Sequence, residues 1–157
     1  MPDLLPPSSG PLSFFRSLGI AASGLSAQRA RMETIATNVA NAETTRTEAG
    51  GPYRRRVVEM QPVETQAFAG ALTAASGQAS DQTFNGVKVT GIGEDPTEGP
   101  LMYAPGHPDA NADGWVRLPN VRVTDEMVDL MDARNLYQAN ATVFQAVKSM
   151  LRTAVDI

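Results

Sequence analysis

A chain of 157 residues with 42% hydrophobic and 6% aromatic residues has material for one modest core, and 13 glycines with 11 prolines call for many turns. A net charge of −4 does not favour nonspecific binding to nucleic acid, which needs a basic face. The absence of cysteine removes any disulfide framework or thiolate metal site and leaves the compartment open.

The N-terminal MPDLLPPSSGPLSF lacks the basic start and continuous apolar core of a cleaved signal peptide, so export would need another route. No apolar run approaches the ~18 residues of a transmembrane helix, so membrane insertion is not expected. Residues 1–12 read as a disordered leader. Ser13 is placed to cap a helix from about Phe14 to Ala40, about 40 Å long at ~1.5 Å per residue. Leu18, Leu25, Met32 and Val39 recur every seven residues along it, with Ala21, Ala22 and Ile35 between them and Gln28 as a polar exception. Gly19 and Gly24 each weaken the isolated helix by ~1 kcal/mol relative to Ala.

The helical period stops at Glu43. From 43 to 121 the pattern is that of a β-rich lobe, with strands expected over Tyr53–Met60, Gly86–Ile92 and Trp115–Val121 and a flexible loop near 65–82. At Thr124 the period returns. Thr124 is the expected cap, Asp125 and Glu126 suit the helix dipole, and Val123 with Val128 forms a hydrophobic staple. A helix of about 48 Å follows on the same rule. One row carries Val123, Leu130, Tyr137, Phe144 and Leu151, and the other carries Ala133, Asn140, Val147 and Ala154. The expected fold is α+β. Long N- and C-terminal helices (13–42 and 122–157) pack as a coiled-coil-like pair, and the middle lobe is small. Two narrow stripes leave Ile20, Met127, Met131, Leu136, Val143, Met150 and Val155 uncovered, and contiguous apolar surface marks an interface.

Candidate chemistry is sparse. Asp109-Ala110-Asn111-Ala112-Asp113-Gly114 has the start of a calcium loop, but position 120 is Asn where a bidentate acid is needed, so an Asx-rich turn between strands is the better reading. His107 is the sole histidine, with no nucleophile motif around any serine. Arg54–Arg56 reads as a solvated face or an interface contact, with anion binding as the alternative, and Gly91-Ile92-Gly93 opens no phosphate-binding helix. No enzyme and no cofactor are expected.

One stretch, IATNVANAETTRTEAGGPYRRR from Ile35 to Arg56, has specific-looking residues without evident chemistry. With SGLSAQ before it, it resembles the N-terminal signature of the flagellar axial proteins, the rod, hook and filament-junction subunits. Ala36, Asn38, Val39, Ala40, Asn41 and Thr44 match that family's Asn-rich segment. Gly51–Arg54, Tyr103–Ala110 and Gly114–Val121 look like its proximal rod members. So do Glu126-Met127, Tyr137–Asn140, Lys148–Met150 and the ending Asp156-Ile157, so the resemblance runs from Ser13 to Ile157. The chain departs from the family in its longer leader and in Ala104, where an acid is usual.

The resemblance implies a structural subunit of the flagellar rod. Its terminal helices would line the inner tube of a helically assembled, torque-transmitting shaft. It implies contacts with itself, other rod subunits, ring and export-gate components, and passage through the flagellar type III export apparatus to a site between inner membrane and peptidoglycan. The rivals are a calcium- or anion-binding module and a secreted regulator or chaperone of the same apparatus. The heptad rows with Ile35 are the expected assembly surface. Asn38 and Asn41 are expected to hydrogen-bond backbone where the first helix ends and so to set the angle at which the lobe leaves.

Overall fold

The computed structural model describes residues 11–64 and 84–155. The leader residues 1–10, the loop expected near 65–82 and the last two residues lie outside these. The element order is α1 (Pro11–Ala40), β1 (Arg56–Glu64), β2 (Phe84–Glu94), β3 (Leu101–Tyr103), β4 (Trp115–Arg117) and α2 (Val123–Val155). Two long helices thus flank two small two-stranded sheets, β1–β2 and β3–β4, an α+β arrangement.

The helix boundaries differ from expectation in informative ways. α1 begins at Pro11, where a proline in the first turn loses no hydrogen bond, so Ser13 lies inside the helix. α2 begins at Val123, and the amides of Asp125 and Glu126 both donate to the Arg122 carbonyl. The hydroxyl of Thr124 reaches the Asp125 carboxylate instead of capping. Arg122 holds the cap position, and its guanidinium lies 3.2 Å from Asp125. Val123 and Val128, the expected staple, both remain exposed.

The strands are also shifted. β1 starts at Arg56 and not at Tyr53, because Tyr53 donates its amide to the Thr44 carbonyl and belongs to the turn-rich approach. β4 stops at Arg117, where Pro119 removes a ladder donor two residues on. Leu101–Tyr103, too short to show a period, forms β3 and pairs antiparallel with β4 in the register Leu101↔Arg117, Met102↔Val116, Tyr103↔Trp115. That register sends Val116 into the core at 1% exposure and leaves Leu101, Tyr103 and Trp115 on the outer face. Tyr103 and Trp115 meet edge-on, centroids 5.2 Å apart. Gly114 closes the connection with φ +81, a backbone conformation L side chains rarely adopt.

Residue contacts divide the chain into two compact units, and the division cuts both helices and the β1–β2 sheet. Of the described residues, one unit holds 11–26, 61–64, 84–88 and 137–155. There Gly24 faces the Asn140 side chain so closely that a Cβ would meet its Nδ2 at 2.8 Å, and the Ser23 hydroxyl accepts the Val87 amide. The other unit holds Ala27–Met60 and Val89–Leu136. Its core is Ala27, Ile35, Tyr53, Val116 and Ala133, with the polar residues Thr34, Asn38 and Glu126 buried among them.

Among the described residues of α1 the buried positions are Ala21, Ala27, Thr34, Ile35 and Asn38. At 3.6 residues per turn their stripe lies roughly 110° round the helix from the row Leu18, Leu25, Met32, Val39. The buried stripe is made mostly of small or polar side chains, and the large ones of the seven-residue row are half-buried.

Candidate functional site

The densest polar construction sits where α1 ends and β1 begins, inside the second unit. Asn38, 1% exposed, occupies the last turns of α1 with its amide turned inward. Its Oδ1 accepts the Arg56 amide at 2.9 Å and the Tyr53 hydroxyl at 3.0 Å. Its Nδ2 donates to the Arg56 carbonyl at 2.9 Å and to Glu126 Oε2 at 3.0 Å. The side chain of Asn38 therefore pairs with both polar groups of Arg56 as a neighbouring strand would, and anchors the first residue of β1 to the helix.

Asn120 treats the preceding residue in a similar way. Its Oδ1 accepts the Arg55 amide at 2.6 Å, its Nδ2 reaches the Asp95 carbonyl at 3.3 Å, and the Asp95 amide donates to the Arg55 carbonyl at 2.8 Å. All four backbone groups of Arg55 and Arg56 are satisfied by this clamp, although the ladder has only begun.

Charge closes the cluster. Glu126, 1% exposed in the first turn of α2, receives Arg55 Nε at 2.5 Å on Oε1. Arg55 Nη2 reaches Asp129 at 3.0 Å, and Arg31 reaches the other oxygen of Asp129 at 3.2 Å. Burial alone works against the Arg55 cation. The hydrogen bond and charge of Glu126, with Asp129 and Asp95 behind, outweigh it and hold its pKa above the ordinary guanidinium range. Burial likewise raises the Tyr53 phenol, an effect Arg56 partly offsets from 5.8 Å above the ring. A buried carboxylate with one guanidinium and one amide on it is expensive to break, and it ties α1, the entry to β1 and α2 into one geometry.

Asn41 acts locally, as expected. Its Nδ2 donates to the Thr37 carbonyl and its Oδ1 accepts the Thr44 hydroxyl, so it stops the helix. Thr45 then bonds the Asp109 carboxylate at 2.7 Å, with Arg46 3.6 Å from its other oxygen. The calcium-like string is thereby used as a turn. Asn111 Oδ1 accepts the amides of Asp113 and Trp115. No group of three metal-type ligands occurs among the described residues. The arginine run does not act as a unit: Arg54 is exposed, Arg55 is spent on carboxylates and Arg56 lies over Tyr53.

The other residues singled out from the sequence divide by burial. Ile35 is buried. Leu18, Leu25, Met32, Val39, Leu130, Asn140, Phe144, Val147 and Leu151 are half-buried, and Tyr137 is exposed. The outer face of α2 keeps Met127, Val128, Met131, Leu136, Val143 and Met150 47–58% exposed. The cluster's other members escaped sequence reasoning. Glu126 passed as a dipole acid, Tyr53 as a strand residue and Asn120 as a missing ligand, and no periodicity marks contacts over 65 to 88 residues of separation.

Comparison with known proteins gives a consistent result. The family described as "Flagella basal body rod protein" matches residues 18–46, and "Flagellar basal body rod FlgEFG protein C-terminal" matches residues 112–157. The chain is 42% identical to "Flagellar basal-body rod protein FlgC" of Bacillus subtilis over 93% of its own length and 99% of that protein's. The FlgC of Salmonella typhimurium is 42% identical over 84% of this chain and 88% of its own, and that of Aquifex aeolicus 36% over 92% and 97%.

Proposed function

We propose, from the premise that the chain belongs to the FlgC family of flagellar basal-body rod proteins and is a structural subunit of the rod, that it assembles through the outer faces of its two long helices. In this reading the helical pair 13–42 and 122–157 forms the tube and lines the export channel, and residues 43–121 form an outer lobe. The chain performs no catalysis. Its partners are copies of itself, other rod subunits and the adjoining ring and export-gate components. It travels through the flagellar type III apparatus without a cleaved signal to the periplasmic section of the basal body.

The observation that carries the reading is the apolar surface left on α2. Val143 is 51% and Met150 58% exposed, seven residues apart with Leu136 at 47% one heptad before. Such a row, with only Ala139 and Ala146 between its members on that side, has the spacing of a coiled-coil seam. Subunits that transmit torque need broad interlocked contacts, and open helical assembly needs heterologous ones. The clamp at Asn38 serves the same end, since it makes the lobe's departure from α1 a fixed angle.

Val143→Asp with Met150→Asp tests the reading. Both side chains face solvent in the single chain, so the variant keeps the wild-type circular dichroism and melting behaviour. In an assembled rod each carboxylate would be buried unpaired at a cost of several kcal/mol, so swimming and basal-body incorporation are lost. A folded double variant that swims normally would show that this face is not an assembly surface.

A further inference from the structure

Within the second unit a groove of about 430 Å³ opens between α1 and β1. Its lining joins apolar Ile35, Val57, Val58 and Met60 with charged Arg31, Arg55, Arg56 and Asp129. At its mouth Val57 is 41% exposed beside Arg56, a guanidinium with no ion-pair partner among the described residues. Arg31 and Arg55 are already balanced by Asp129 and Glu126, so the unmatched charge of the groove is the positive one of Arg56.

The same unit carries the complementary surface. Met127, Val128 and Met131 stand 54–57% exposed on the first turns of α2. Met127 and Met131 are i,i+4 neighbours, and so are Val128 and Asp132. Asp132 is exposed and has no ion-pair partner among the described residues. A lone cation beside an apolar groove and a lone anion beside an apolar ridge thus occur on one chain. They cannot meet within it. Asp129, which lines the groove, and Met131, which heads the ridge, point roughly 160° apart on α2 at 3.6 residues per turn. A second copy placed head to tail satisfies both surfaces, a heterologous contact whose rotation decides between a closed ring and an open helix.

We infer that the groove over Ile35 and Val57 receives the Met127–Met131 ridge of a second copy of this chain, with Arg56 of one copy paired to Asp132 of the next. This rests on the rod-subunit reading and deepens it: the helix outer faces would bring copies together, and this contact would set their order. The pairing fixes register and partner choice more than it adds affinity, as rim charges do.

The chain's lack of cysteine makes a clean test, because an introduced pair gives one disulfide on an empty background. A strain expressing the chain with Val57→Cys and Met131→Cys is oxidised and its basal bodies are purified and run without reductant. Each single-cysteine variant serves as control. A ladder of dimers, trimers and higher species from the double variant alone is the expected result. Chain present in basal bodies as monomer only, or joined to a protein of different mass, would overturn the self-contact while leaving the rod reading intact. Absence of the wild-type chain from basal bodies would instead sink the rod reading itself. A charge exchange supplies the second arm: Arg56→Asp and Asp132→Arg each lower rod incorporation about tenfold, and the two together restore it. Singles that incorporate normally, or a double variant no better than either, would count against the pairing.

Discussion

Asn38→Leu is the sharpest perturbation of the clamp. Leucine is of similar size and a better helix former, so α1 itself gains a few tenths of a kcal/mol. The substitution deletes four hydrogen bonds. It strands the Arg56 amide and carbonyl, the Tyr53 hydroxyl and one contact of the Glu126 carboxylate. Leaving a buried neutral group unpaired costs about 1–3 kcal/mol and a charged one more, although partial access to water near the exposed Arg56 softens the first two. The expected net loss is about 4 kcal/mol, a large share of the ~5–15 kcal/mol that stabilises an ordinary domain. Trp115, the only tryptophan, reports on this unit by fluorescence during urea unfolding. With a slope of about 2 kcal/mol/M the midpoint falls by about 2 M. A fall of less than ~0.3 M would mean that Asn38 is an ordinary helix residue and that β1 is positioned by something else.

Glu126→Ala removes the acid but leaves Arg55 half-buried beside Asp129, and about 3–5 kcal/mol is expected to be lost in the same urea assay. Tyr53 has its pKa raised above 10.0 chiefly by burial, so the unfolded chain ionises first. Its contribution is complete below pH 10 and disappears as the pH climbs through the folded value, and Tyr53→Phe flattens that alkaline limb of a melting-temperature profile. Asp95 is held below its ordinary 3.8 by the hydroxyl and amide of Thr97. Its contribution is present above that value and is lost as the pH falls through the folded one, which Asp95→Asn abolishes. Gly19→Ala meets nothing within 4 Å and raises the stability of the isolated chain by up to ~1 kcal/mol, whereas Gly24→Val drives branches into Asn140 and lowers it; comparative thermal melts separate the two glycines.

The helices were legible because heptad spacing and a change of period are local signals, and the Asn-rich stretch after α1 carried the family resemblance. The direction of the buried face on α1 was not legible. A hydrophobic pattern favours Leu18, Leu25 and Met32, yet Ala21 and Ala27 are the buried positions and Gly24 the one that meets Asn140, and small residues of this kind score weakly in any such pattern. β3 was too short to show alternation. The clamp was half visible: Asn38 and Asn41 stood out at a helix end, and Asn41 does act as a stop. The partners of Asn38 lie 15, 18 and 88 residues away, and only the fold brings Tyr53, Arg56 and Glu126 to one amide.

The assembly role of the helix outer faces is tested most directly by a reconstruction of the purified basal body in which the side chains of this chain are traced. Val143 and Met150 are expected against a neighbouring subunit and out of contact with solvent. The same side chains facing open solvent on a chain incorporated in the rod would contradict that role.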